Sequence, residues 1–117
     1  MKRVIIFEDE HSIADILAIV LKNQYQVYTF YDGTDFESVI TGTHPDLVLL
    51  DLNLGEIDGQ EICQYIKSKA ALKHIPVILM SASTRLEVVK ERCGAEDMIS
   101  KPFDIQTIFN KLEQWTA

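Results

Sequence analysis

Unbroken apolar runs recur along this chain, and each stops at a polar group. Val4-Ile5-Ile6-Phe7 gives way to Glu8-Asp9-Glu10, Leu47-Val48-Leu49-Leu50 to Asp51, and Val77-Ile78-Leu79-Met80 to Ser81. A shorter run, Met98-Ile99-Ser100, ends at Lys101-Pro102. Short continuous apolar stretches read as strands buried on both faces, the mark of a parallel sheet. Between them the period changes from strand to helix. Ile13, Ile16, Leu17, Val20 and Leu21 form one helical face, with Ser12 and Asp15 as a candidate N-terminal cap.

The alternation continues to the end of the chain. Gln26 to Phe30 is β-rich and closes in an Asp32-Gly33 turn, and a short helix follows with Phe36, Val39 and Ile40 inward. Asp58-Gly59 opens a third helix reaching about Ala70, with Ile62 and Ile66 inward, and Pro76 opens the next strand. Leu86, Val89 and Lys90 mark a brief fourth helix stopped by Gly94. Asp104 caps a last helix whose inner face is Ile105, Ile108, Phe109 and Leu112. Five βα units with right-handed crossovers predict a doubly wound α/β domain with helices on both faces.

Length and composition narrow this picture. At 117 residues the chain suits one domain, expected to span residues 1–117, and 47% hydrophobic content supplies a real core. No apolar stretch reaches the ~20 residues of a membrane span, and Glu8-Asp9 interrupts the only early apolar run, so neither membrane insertion nor a signal peptide is expected. A cytoplasmic location is the resulting expectation. A net charge of -7 argues against direct nucleic-acid binding. The two cysteines, Cys63 and Cys93, form no C-x-x-C pair and read as reduced packing residues. His11, His44 and His74 are scattered and lack zinc-site spacing.

Open parallel sheets bind ligands at the carboxyl ends of their strands. If the four runs are neighbours, Glu8, Asp9, Asp51, Ser81 and Lys101 meet in one pocket. Carboxylates, a hydroxyl and an ammonium together suit a divalent metal and a phosphoryl group. Asp51 is the natural nucleophile, because a carboxylate at the end of a central strand is rigidly held and can form an acyl phosphate.

The ordered pieces IIFEDE, PDLVLLDLNL, DG, PVILMSAS and GAEDMISKPF resemble the CheY-like receiver domain of bacterial two-component response regulators. The likeness extends over essentially the whole chain. It implies the flavodoxin-like (βα)5 fold, a five-stranded parallel sheet in the order 2-1-3-4-5. It implies that Asp51 is the phosphoacceptor, that Ser81 and Lys101 contact the phosphoryl group, and that Pro102 follows a cis peptide bond. It further implies a Mg2+ site, which Mn2+ can also fill, made by Asp9, Asp51 and the backbone carbonyl of Asn53, with Glu8 holding a metal-bound water. Oxygen ligands of this kind match magnesium's preference. Glu10 is expected outside the metal's immediate ligands.

By the same resemblance the phosphodonor is a sensor histidine kinase or a phosphotransfer protein, and the output passes to an effector protein that the sequence does not name. The face of the fourth helix, fifth strand and fifth helix is expected to change on phosphorylation and can serve for homodimerisation. The domain is expected to assist its own phosphorylation and dephosphorylation without being a conventional enzyme. Two departures stand out: Met98 where receivers commonly carry Tyr or Phe, and a short segment from Ser81 to Gly94. Three alternatives stay open: a small magnesium-dependent aspartyl phosphatase, a flavodoxin-type cofactor module, and a receiver-like interaction module with impaired switching. A stand-alone regulator and a receiver from a longer chain both fit.

Overall fold

The computed structural model describes all residues from Met1 to Ala117. Five strands form the parallel sheet: β1 (Lys2–Phe7), β2 (Tyr25–Phe30), β3 (Leu47–Asp51), β6 (Val77–Ser81) and β7 (Asp97–Ser100). Their spatial order is β2-β1-β3-β6-β7, which is 2-1-3-4-5 once the sheet strands are counted alone. The remaining two strands, β4 (Asn53–Leu54) and β5 (Ile57–Asp58), make a small antiparallel hairpin just after β3, which the apolar pattern did not announce. Gly55 turns this hairpin at a φ of +72°, in the left-handed region that glycine enters freely.

Five helices cover the sheet: α1 (His11–Leu21), α2 (Phe36–Thr43), α3 (Gly59–Ser68), α4 (Leu86–Cys93) and α5 (Ile105–Thr116). Alternate residues of each strand point to opposite faces, so the core divides in two. Ile5, Phe7, Val48, Leu50, Val77 and Leu79 pack beneath α2, α3 and α4 through Ile40, Ile62, Ile66 and Val89. Val4, Ile6, Leu47, Leu49, Ile78 and Met80 pack beneath α1 and α5 through Leu17, Leu21, Ile108 and Leu112. Every residue of β3 and of β6 is buried, as expected of central strands sandwiched between helix layers.

Three local expectations need correction. Ser12 does not cap α1: the helix starts at His11 with Glu10 in the cap position and no side-chain cap bond. Asp15 instead accepts a hydrogen bond of 2.6 Å from the Tyr31 hydroxyl. Ile16 is not in the core either, being 51% exposed, because α1 meets the sheet along Ala14, Leu17 and Leu21 and Ile16 falls on the rim of that stripe. On α4 the third buried position is Cys93, not Lys90, since i+7 from Leu86 returns to the inner face and i+4 lies at its edge.

The other ends behave as read. Asp58 caps α3 by accepting from the Gln60 N–H, Asp104 caps α5 by accepting from the Thr107 N–H, and Gly94 closes α4 at a φ of +80°. Gly59 has a further duty. A Cβ there would lie 2.3 Å from the Asp51 carbonyl oxygen and 2.8 Å from the Leu52 Cα, both backbone atoms that cannot step aside. The Gly59 N–H donates to the Leu52 carbonyl at 2.8 Å, so only glycine lets the start of α3 press against the end of β3.

Candidate functional site

The parallel register carries the polar strand ends to one rim. Glu8 and Asp9 follow β1, Asp51 ends β3, Ser81 ends β6, and Lys101 follows β7. The pairing of Phe7 with Leu50, Asp51 with Met80, and Ser81 with Ser100 keeps these ends nearly level. Carboxylate oxygens of Glu8, Asp9 and Asp51 lie within 4.8 Å of one another. Glu8, Asp51 and Ser81 are buried, while Asp9 opens to solvent.

Lys101 reaches into this cluster. Its ammonium donates to Asp51 Oδ2 at 2.6 Å and stands 2.7 Å from Glu8 Oε1 and 3.8 Å from Glu10 Oε1. The contact to Glu8 is an ion pair by distance, yet Glu8 Oε1 receives no properly directed hydrogen bond although it is wholly buried. The Asn53 N–H donates to Asp51 Oδ1 at 2.9 Å, which ties the small hairpin to the acidic centre. Ser81 Oγ accepts from the Ser83 N–H at 2.9 Å, so its hydroxyl proton is free to turn toward an incoming acceptor. The Lys101–Pro102 peptide bond is cis, as expected.

One ammonium thus faces the carboxyl groups of Glu8, Glu10 and Asp51, with Asp9 close by. The two buried acids respond in opposite directions. Burial, reinforced by the neighbouring Asp51, pushes Glu8 up to about 8. Burial also opposes charge on Asp51, but hydrogen bonds from Glu8, Lys101 and the Asn53 N–H prevail and hold its carboxyl below the ordinary value. Lys101 loses some charge preference to burial, yet Asp51 and Glu8 outweigh this and raise its pKa. The two acids titrate as a linked pair, Glu8 displaced upward and Asp51 downward.

The chain matches the response regulator receiver domain over residues 4–113. It is a member of that family. Among similar solved structures, the signal receiver domain of a DNA-binding response regulator from Colwellia psychrerythraea 34H is 30% identical. That match covers 97% of each chain with a TM-score of 0.87. The receiver domain of a signal transduction histidine kinase from Syntrophus aciditrophicus is 28% identical, covering 99% of this chain and 90% of that one, with a TM-score of 0.89. A response-regulator structure from Chloroflexus aurantiacus J-10-fl has a TM-score of 0.91 at 23% identity, covering 98% and 97% of the two chains, a likeness of fold alone.

Within this receiver the donor set suits a hard divalent cation. Glu8, Asp9 and Asp51 offer only oxygen, and the orphaned Glu8 Oε1 is a buried acceptor with unused capacity. Glu10, 59% exposed at its side chain, stands at the margin of the cluster. Met98 is half-buried and packs on the core beneath α4.

Sequence reasoning missed two features around the site. Gly59 is one, for the Asp-Gly signal suggested only a helix start. The other is a groove of about 590 Å3 beside Lys101, bordered by Ile13, Ile16, Leu17, Phe103 and Ile105, with Glu10 and Lys101 at its charged end. A run of isoleucines on a helix reads as core, so the pattern could not reveal that Ile16 faces out. No helix is long and apolar enough to cross a membrane.

Proposed function

We propose that this receiver takes a phosphoryl group onto Asp51 and thereby changes its interaction surface. The observation that carries the reading is the convergence of Asp51 with Glu8, Asp9 and Lys101 at the open ends of the strands. In the transfer, a carboxylate oxygen of Asp51 forms a bond to phosphorus. The phosphorus–nitrogen bond of the donor's phosphohistidine breaks, and its electron pair returns to the imidazole.

In the resting protein Lys101 neutralises Asp51 and covers it. The arriving phosphoryl oxygens compete for that ammonium, so Lys101 moves from carboxylate to phosphoryl oxygen and holds the charge there. Ser81 donates its free hydroxyl proton to another of those oxygens. Asp9, Asp51 and the Asn53 carbonyl would hold Mg2+, or Mn2+ in its place, with Glu8 orienting a water. Bound there, the cation supplies positive charge that offsets repulsion between Asp51 and the donor. The same groups would serve hydrolysis of the acyl phosphate, with water as the entering nucleophile.

The donor fits a sensor histidine kinase or a phosphotransfer protein. The groove beside Lys101 supports this, because Ile13, Ile16 (51% exposed) and Phe103 give it an apolar lining next to the ammonium that holds Asp51. An apolar helix face there would bring a histidine toward Asp51. The donor's chemistry belongs to the cytoplasm. The loaded site draws Ser81 and its loop inward, which alters the face formed by α4, β7 and α5 for an effector protein or a second copy. Incubation with phosphoramidate and Mg2+ should add one phosphoryl mass to the intact protein. Unchanged mass under conditions that phosphorylate an authentic receiver would overturn the reading.

A further inference from the structure

The two cysteines are far apart in sequence and adjacent in space. Cys63 is in the middle of α3 and Cys93 is the last residue of α4, 30 positions further along the chain. Both are free, with Cys63 wholly buried and Cys93 4% exposed. Cys63 Sγ donates to the Cys93 carbonyl oxygen at 3.5 Å, and Cys93 Sγ donates to the Lys90 carbonyl oxygen at 3.9 Å, so the two thiols sit side by side in the same seam. They occupy the seam where α3 and α4 pack, at the foot of the sheet away from Asp51.

The pair is chemically uneven. The Cys63 thiol can donate to Cys93, which is the main reason the latter's pKa falls to about 7, and the Ala95 N–H and the Lys67 ammonium assist. Cys63 is pushed up, first by that same hydrogen bond and then by burial. A thiolate beside a thiol is the arrangement of an attacking and a resolving cysteine. Cys93 lies at the end of an eight-residue helix, where local opening is least costly and a small oxidant gains entry.

We propose that Cys63 and Cys93 form a reversible intramolecular disulfide when the protein meets a peroxide, tying the end of α4 to α3. The Cys93 thiolate attacks one peroxide oxygen, the O–O bond breaks, and Cys93 becomes a sulfenic acid as hydroxide leaves and takes up a proton. Cys63 then attacks that sulfur, and its thiol proton leaves with the sulfenic oxygen as water. Two thiols and one hydrogen peroxide give one disulfide and two waters. The crosslink itself is independent of chemistry at Asp51. Its effect on output, through restraint of α4, rests on the receiver reading.

The test is peroxide treatment of the native protein, followed by denaturation, alkylation and mass analysis. The expected product is a monomer lighter by two hydrogens, with no alkylatable thiol, one linked peptide pair containing Cys63 and Cys93, and full reversal by dithiothreitol. Amide exchange in the last turn of α4 should slow roughly tenfold in that product. In Cys63→Ser, peroxide should leave a Cys93 sulfenic acid that dimedone labels. Two alkylatable thiols after treatment, or disulfide-linked dimers as the product, would overturn the proposal.

Discussion

The two ends of the sheet treat charge in opposite ways. At the foot, the partly buried charges of Lys67, Glu96, Asp97 and Lys111 are all answered. Lys67 donates to the carbonyls of Lys73 (3.1 Å) and Ile75 (2.7 Å) and to Glu96 Oε2 (2.7 Å), while Glu96 Oε1 accepts from the Val77 N–H at 2.8 Å. Asp97 accepts from the Met98 N–H and Lys111 at Oδ1, and from the Trp115 indole at Oδ2. At the rim, Lys101 is shared among Asp51, Glu8 and Glu10, Asp9 stands beside them, and Glu8 Oε1 lacks a hydrogen bond. Ion pairs that only hold a fold tend toward balance, since an uncompensated buried charge costs several kcal/mol. A surplus of one sign at the ligand-binding end of a parallel sheet marks a place kept for a ligand of the other sign.

Substitutions at the two ends should therefore differ in kind. The largest separation is in phosphoryl uptake. Asp51→Ala should abolish the mass gain with phosphoramidate, whereas Asp97→Ala should retain it. Stability comes next. Lys67→Met strands the Glu96 carboxylate and two carbonyls, and should lower unfolding free energy by about 3 kcal/mol in urea titrations.

Neutralising one aspartate at each end should shift stability in opposite directions. Asp9→Asn removes like-charge repulsion at the rim and should stabilise the metal-free protein by about 1 kcal/mol. Asp97→Asn weakens the pairing that pins α5 to β7 and should destabilise it by about 1–2 kcal/mol. Equal signs would break the comparison.

The smallest expected effect is in acid. Burial works against ionised Asp97, but its bonds to Trp115 and Lys111 prevail and hold its pKa below the ordinary value. A depressed carboxyl contributes stability above its unfolded pKa and loses it as pH falls through the folded value. The stability gap between wild type and Asp97→Asn should stay constant near neutrality and narrow only below about pH 4. Urea midpoints measured across that range would show it.

Much of this contrast was legible in the sequence, though unevenly. Glu8, Asp9, Asp51, Ser81 and Lys101 could be found because each ends an apolar run, and a parallel sheet aligns such ends without further instruction. The Asp58, Gly94 and Asp104 helix ends followed from equally local signals, whereas the strand order came from the family resemblance. Features that depend on how helices rotate against the sheet were hidden. Ile16 and Leu17 look alike in the sequence, yet only the latter faces the sheet. The hydroxyl of Ser12 resembled a cap, but α1 starts one residue earlier. The Asp97–Lys111–Trp115 cluster and the Cys63–Cys93 contact join elements whose spacing carries no period, so only the folded chain brings them together. The closeness of Gly59 to Asp51 is likewise a matter of backbone contact, which composition cannot express.

Calorimetric titration with Mg2+ tests the surplus of rim charge most directly. One cation should bind per wild-type chain, Asp9→Ala should eliminate that binding, and Asp97→Asn, altered at the balanced end, should bind as the wild type does. No saturable uptake by the wild type, or undiminished uptake by Asp9→Ala, would contradict the assignment of the rim as a cation and phosphoryl site.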